Sequence, residues 1–434
     1  MPRRAAIFTD LRPNVQPRLG RVLFQVGGVA IVFYVLTAMA LRYPITEDFM
    51  FFTPDAGEYR AVGEWVIHGT GTNATLTRPY LYPVVIALAN ALGGVIGVWS
   101  VQVIAWLVCI LCVHLAVRII TGYRWLAWIA STVVMFNLSL FALTFHALTE
   151  VFTAMLLAVL MLFVASNYQR WATIRFFCLL ALQFVALSLV RPVFFPLLAL
   201  WVIVFGPLLY FRAFKAQPKA LFLLVVALLP LVPQLAIMHI KHDRWGISAI
   251  GSMTFRDFLF AEGYGEVNGL NIEEARAAVH STGERRMRRF ILAHPGTYSR
   301  LYLTHLKYNT FNSEGFALQM VPGNEHPFAW MFMLRTNNLY AALHALALLP
   351  CSWLLIGDLR RRDAGRALLW AMPMAVTWCI LLTSGISFWQ GDRLVLSVVP
   401  VFIVLYAITG GALLSLRPAS SAKNRATSSD HYGG

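Results

Sequence analysis

Long apolar stretches broken by short basic segments run the length of the chain. They fall near 21–41, 98–120, 125–143, 149–167, 176–190, 194–211, 220–239, 337–356, 367–385 and 394–416. Most approach the roughly 20 residues that a helix needs to cross a bilayer. The stretch 80–97 differs: Pro79 and Pro83 open it and several glycines follow, so it predicts a juxtamembrane or re-entrant helix. The pattern is that of an all-α polytopic membrane protein with about ten transmembrane helices. The first run is too long for a signal-peptide core and has no convincing cleavage site, so it is expected to be retained.

Basic residues set the expected topology. Arg3, Arg4, Arg12, Arg18 and Arg21 precede the first run. Arg118 and Arg124, Arg170 and Arg175, Arg212, Lys215 and Lys219, then Arg360, Arg361, Arg362 and Arg366, and finally Arg417, Lys423 and Arg425 follow later runs. All fall on one side if both termini do, and the positive-inside rule makes that side cytoplasmic. Counting 80–97 as a full span would invert everything after it. The expected organisation is a cytoplasmic segment 1–20, a transmembrane domain 21–416 and a disordered cytoplasmic tail 417–434. Two long extracytoplasmic loops, 42–97 and 240–336, carry juxtamembrane helices. In the second, Arg285, Arg286, Arg288 and Arg289 alternate with Met287, Phe290 and Ile291. That pattern suits either an interfacial helix on anionic lipid or a solvated surface helix.

Composition supports the membrane reading. The chain of 434 residues is 59% hydrophobic and 13% charged, against about 25% charged in soluble domains. The net charge of +15 lies largely in short clusters between apolar runs, so it does not indicate nucleic-acid binding. Cys109, Cys112, Cys178, Cys351 and Cys379 all sit in apolar runs, which argues against a disulfide framework. Cys109, Cys112 and His114 lack haem-attachment spacing, because Val113 stands where the histidine belongs.

Candidate chemistry gathers in the first loop. Asp55, Glu58, Tyr59 and Arg60 are followed by Glu64, Trp65 and His68, then by Arg78-Pro79-Tyr80-Leu81-Tyr82-Pro83. Asp55 and Glu58 share one face if the segment is helical. Paired carboxylates can divide base and electrostatic roles. The plainer alternative is that Asp55 caps a helix starting near Ala56. Asn73-Ala74-Thr75 matches a glycosylation triplet, which is common by chance.

The stretch Asp55 to Pro83 resembles the first extracytoplasmic loop of GT-C glycosyltransferases. It is most similar to the protein O-mannosyltransferase-like branch, which includes the lipid A aminoarabinose transferases. The matching features are Asp55, Tyr59, the segment 61–69 and the Arg78–Pro83 motif. Weaker matches follow in order: Thr149-Glu150, Arg191-Pro192, His294-Pro295-Gly296-Thr297-Tyr298, and Gly391-Asp392-Arg393 with Pro400. The chain departs from some members in having Ala56 after Asp55 and Glu58 before Tyr59.

The resemblance implies a transferase that moves a sugar from a polyprenyl-phosphate donor to a lipid, glycan or protein acceptor, in an inverting single displacement. Asp55 would be the catalytic base. Arg78, Arg191 and Arg393 would bind the leaving phosphate, as guanidinium forks suit phosphate oxygens; snorkelling to the interface is their structural alternative. Glu58, Tyr59, Tyr82 and Glu150 complete the expected substrate-binding set, with aromatic-belt packing the alternative for the tyrosines. Glu150 and His146 offer the one candidate site for a divalent cation, or could position the acceptor; a structural ion pair of Glu150 with an arginine is the equal alternative. No other cofactor is implied. The expected location is a bacterial inner membrane, with the site facing the periplasm. Membrane lipids are expected partners and nucleic acid is not. A lipid-linked-glycan flippase or transporter, and an O-antigen ligase or polymerase, are the rival readings.

Overall fold

The computed structural model describes residues 19–69, 72–211, 215, 217, 219–311, 332, 339, 348–387 and 393–415. Every regular element among them is helical. Five helices are long and apolar enough to cross a membrane: Gly20–Leu41, Leu81–Thr121, Thr149–Arg170, Pro192–Leu209 and Ala364–Ser384. Two helix pairs bent by 55°, Arg124–Met135 with Leu138–Phe145 and Lys219–Leu228 with Leu231–His242, raise the number to seven. Ile174–Val190 and Val399–Leu414 are apolar but shorter. The protein is thus an α-helical membrane protein with five to seven candidate spans among the described residues. Half of the expected run 337–356 lies outside them, as does nearly all of both terminal segments.

Two of the expected runs are broken, each for a local reason. In 125–143, the Asn137 side chain accepts from Leu140 N at 2.8 Å and caps a new helix. That bond gives the backbone an alternative to continuing the first helix. In 220–239, Pro230 precedes the second helix. Its ring clashes with the preceding turn and it has no N–H to donate.

The helix Leu81–Thr121 is the hub. It packs on Pro54–His68, Arg124–Met135, Thr149–Asn167 and Val399–Ser415. It is also folded. Gly93 (φ −151°, ψ 16°) and Gly94 (φ 58°, ψ −147°) leave helical geometry. A Cβ on Gly97 would lie 2.1 Å from the Ala89 carbonyl oxygen. Gln102 Nε2 donates to the Tyr82 hydroxyl at 2.6 Å, whereas twenty residues of straight helix would separate them by about 30 Å. The segment is therefore a helical hairpin, and its short first arm returns the chain to its starting level. A fold-back of this kind accords with either form expected for 80–97, juxtamembrane or re-entrant.

The two ends of the bundle differ in chemistry. At one end Gly411 lies against Thr121, Gly365 lies against the Tyr168 carbonyl, and Arg124 bonds Gln25. Arg118, Arg124, Arg170, Arg175 and Arg366 belong to the helix ends there. At the other end, Glu150, Arg191 and Arg393 meet. Residues 250–311 add a small separate core around Phe260, Ala275, Val279 and Tyr298.

Candidate active site

Thr53 starts the first site helix. Its hydroxyl accepts from Ala56 N at 3.2 Å, Pro54 occupies the first turn, and Gly69 (φ 72°) ends the helix Pro54–His68. Proline early and a left-handed glycine after the end are the expected signals. Because Thr53 is the cap, the Asp55 carboxylate is not used as one. It turns instead to two guanidiniums.

Arg78 Nη2 bonds Asp55 Oδ1, and Arg393 Nη2 bonds Asp55 Oδ2. Arg78 Nε also donates to Glu58 Oε2 at 2.6 Å, so Asp55 and Glu58 do share a face. Arg393 Nε donates to Glu150 Oε1 at 2.6 Å. Arg191 approaches the same oxygen at 3.5 Å and donates to Ser397 Oγ at 2.9 Å. Three carboxylates and three guanidiniums thus alternate from Glu58 to Arg191, and their charges balance. The Asp55 side chain keeps 23% exposure, while Glu150 is fully buried. Glu150 Oε2 has no hydrogen-bond partner among the described residues.

Burial alone would push the Asp55 carboxyl up. The positive charges of Arg393 and Arg78 overcome this and hold it below the ordinary carboxylate range. Asp55 is therefore ionised at neutral pH, and both its oxygens are engaged.

Aromatic residues support Arg78. The Arg78 guanidinium lies 5.0 Å from the Tyr59 ring centroid, and Tyr59 meets Tyr82 edge-on at 5.0 Å. Both rings are buried. The Tyr82 hydroxyl donates to the Leu148 carbonyl at 2.8 Å. Gln102 bonds that carbonyl, the His146 carbonyl and the Tyr82 hydroxyl. Trp65 lies apart, with Lys241 Nζ 4.5 Å from its ring centroid.

All eight residues named from the sequence as catalytic or substrate-binding join this one network. His146 lies beside it and shares its Nδ1 with the Phe49 carbonyl at 3.0 Å. Among the described residues no three His, Cys, Asp or Glu side chains gather as a metal site would require, and Glu150 faces arginines. Gly391 and Asp392 lie outside the described residues. The His294–Tyr298 match belongs to the small core, where Tyr298 bonds the Phe260 carbonyl. The glycosylation triplet has its Thr75 buried and bonded to His242 at 2.7 Å. Cys109, Cys112, Cys178 and Cys351 are buried free thiols, Cys379 is half-buried and free, and His114 bonds Ser131.

Two further features lie on the same elements. An apolar groove of about 540 Å³ lies among Trp65, Tyr80, Val84, Pro233 and Ile237. Tyr80, which lines this groove, stands two residues after Arg78 in the chain. Gln102 and Ser397 also bond to residues of the site. Gln102 is a polar residue inside an apolar run, which is itself a signal.

No protein-family model, curated protein or solved structure matches the chain.

Proposed function

We propose that the protein is a membrane glycosyltransferase of the GT-C type, which moves a sugar from a polyprenyl phosphate to a lipid, glycan or protein acceptor. The observation that carries this reading is the placing of Asp55 between Arg78 and Arg393. A general base thus adjoins two groups suited to a departing phosphate. The apolar groove lined by Tyr80 offers a surface of the chemistry an isoprenoid chain needs. The basic helix ends lie at the opposite end of the bundle, so the positive-inside rule directs the site away from the cytoplasm.

In this reaction the acceptor hydroxyl attacks the anomeric carbon and its proton passes to Asp55. The bond from that carbon to the phosphate oxygen breaks, and polyprenyl phosphate leaves with the electron pair. Its charge grows from one negative to two, and Arg78 and Arg393 stabilise that growth. At rest these arginines are occupied by carboxylates. A donor phosphate competes for them, loosens their hold on Asp55 and raises its basicity as the acceptor needs it. The proposal is tested with a panel of polyprenyl-phosphate sugars and purified protein. Release of polyprenyl phosphate from one donor supports it, and no release or binding with any donor counts against it.

A flippase or transporter gains some support from the two broken spans, since transporters use discontinuous helices at their binding sites. The ion-pair network, however, gathers at one end of the bundle and not at its middle. Movement of a lipid-linked sugar across vesicles without transfer would favour the flippase.

A further inference from the structure

The helix Glu284–Ala293 spends its apolar face within the protein. Met287 is buried in the small core, and Phe290 and Ile291 pack against it. Arg285, Arg286, Arg288 and Arg289 remain exposed, and Leu292 is exposed beside them. Elsewhere in this lobe arginines have carboxylates: Arg256 with Asp257, Arg276 with Glu273, and Arg300 with Glu266. On the basic helix the one ion pair among the described residues is Arg288 with Glu284, at 3.7 Å. Arg285, Arg286, Arg289 and the nearby Arg244 have no carboxylate partner among them.

This surface adjoins a membrane span. Glu284, Arg244, Trp245 and Met238 line one cavity of about 360 Å³, which sets the start of the basic helix beside the end of Leu231–His242. That helix belongs to a candidate span and exposes Val232 and Ile240. Trp245, just beyond it, is 80% exposed, as suits an aromatic side chain at a membrane–water interface. The unpaired arginines therefore continue a lipid-facing apolar surface at the level of the headgroups.

We propose that Arg244, Arg285, Arg286, Arg288 and Arg289 form a docking surface for the phosphodiester headgroups of anionic phospholipids around Leu231–His242. The lobe is held to the bilayer by charge, with Met287, Phe290 and Ile291 kept for its own core. The helix lies on the membrane without inserting its apolar face. Bilayer lipid is favoured over an acidic protein by the exposed apolar surface of the adjoining span. This inference does not rest on the transferase reading.

The test places the full chain in nanodiscs of phosphatidylcholine, alone or with one third phosphatidylglycerol, and follows hydrogen exchange in 284–293. Anionic lipid is expected to slow exchange by at least about tenfold, since the attractions of several basic residues to such a surface add. High salt is expected to remove the effect. R285E, R288E and R289E together are expected to abolish it, and the three corresponding Lys substitutions to retain it. Exchange in Ile272–His280 reports whether each variant keeps the lobe folded. Equal exchange in the two bilayers overturns the proposal. So does equal protection by inorganic phosphate in phosphatidylcholine discs, which would assign the surface to a free anion.

Discussion

Arg393 closes on Glu150, its Nε donating to Oε1 at 2.6 Å across 243 residues of sequence. This contact ties the helix Arg393–Leu396 to the start of Thr149–Asn167. It also leaves Arg393 Nη2 pointing at Asp55. Glu150 is thus the buried anchor that sets where the second guanidinium stands.

Replacing Glu150 by Ala leaves Arg393 buried without that anchor. Losing one partner of a buried ion pair costs about 3–5 kcal/mol. Thermal unfolding in detergent is expected to shift down strongly, with a lower yield of folded protein. An unchanged melting temperature would show that the pair is not an anchor.

The pH response follows from the arginines. The Asp55 carboxyl is depressed in the folded protein, so its stabilising contribution is fully present above the unfolded carboxylate pKa of about 3.9. It is lost as pH falls through the lower folded value. Carbodiimide modification of Asp55, which consumes a proton at the carboxyl, is therefore expected to set in at lower pH than modification of an ordinary exposed carboxylate. In Arg78→Gln one of the two opposing charges is gone, and the onset of modification is expected to move to higher pH. No movement would show that Arg78 does not set the acidity of Asp55.

The hairpin makes a contrast between two glycines. Gly97→Ala puts a methyl group against the Ala89 backbone at 2.1 Å, whereas a Cβ at Gly93 meets nothing within 4 Å. Gly97→Ala is expected to lower the melting temperature markedly and displace Tyr82 from Gln102. Gly93→Ala is expected to have a much smaller effect. Thermal unfolding of both variants checks this, and equal tolerance would argue against the fold-back.

How far the sequence reached depends on the kind of interaction. The pairing of Asp55 and Glu58 on one face was legible because helical spacing is local. The match at Arg78–Pro83 brought the first arginine into view. Glu150, Arg191 and Arg393 were visible as ionisable residues at the ends of apolar runs. An ion pair of Glu150 with an arginine was a natural expectation, but which arginines meet it was not legible, because no local rule links positions separated by 243 residues. Asp55 as a helix cap was a reasonable alternative that Thr53 displaces. The breaks at Asn137 and Pro230 were hidden inside runs judged by hydrophobicity alone, although each residue carries its own helix-stopping chemistry.

The proposed orientation is open to direct labelling. Glu64 is exposed on the helix Pro54–His68. A Glu64→Cys variant is expected to react with a membrane-impermeant maleimide applied outside intact cells. Reaction only after the cells are opened would reverse the orientation and remove the transferase reading.

The central claim is that Asp55 accepts the proton from the attacking hydroxyl. Asp55→Asn is expected to leave folding nearly intact, because Arg78 keeps Glu58 and Arg393 keeps Glu150. The decisive measurement is turnover by wild type and Asp55→Asn with whichever polyprenyl-phosphate sugar is a substrate, alongside donor binding and melting temperature. The account expects binding and melting to persist while kcat falls by roughly 10² to 10⁴. Wild-type turnover by a correctly folded Asp55→Asn would contradict it.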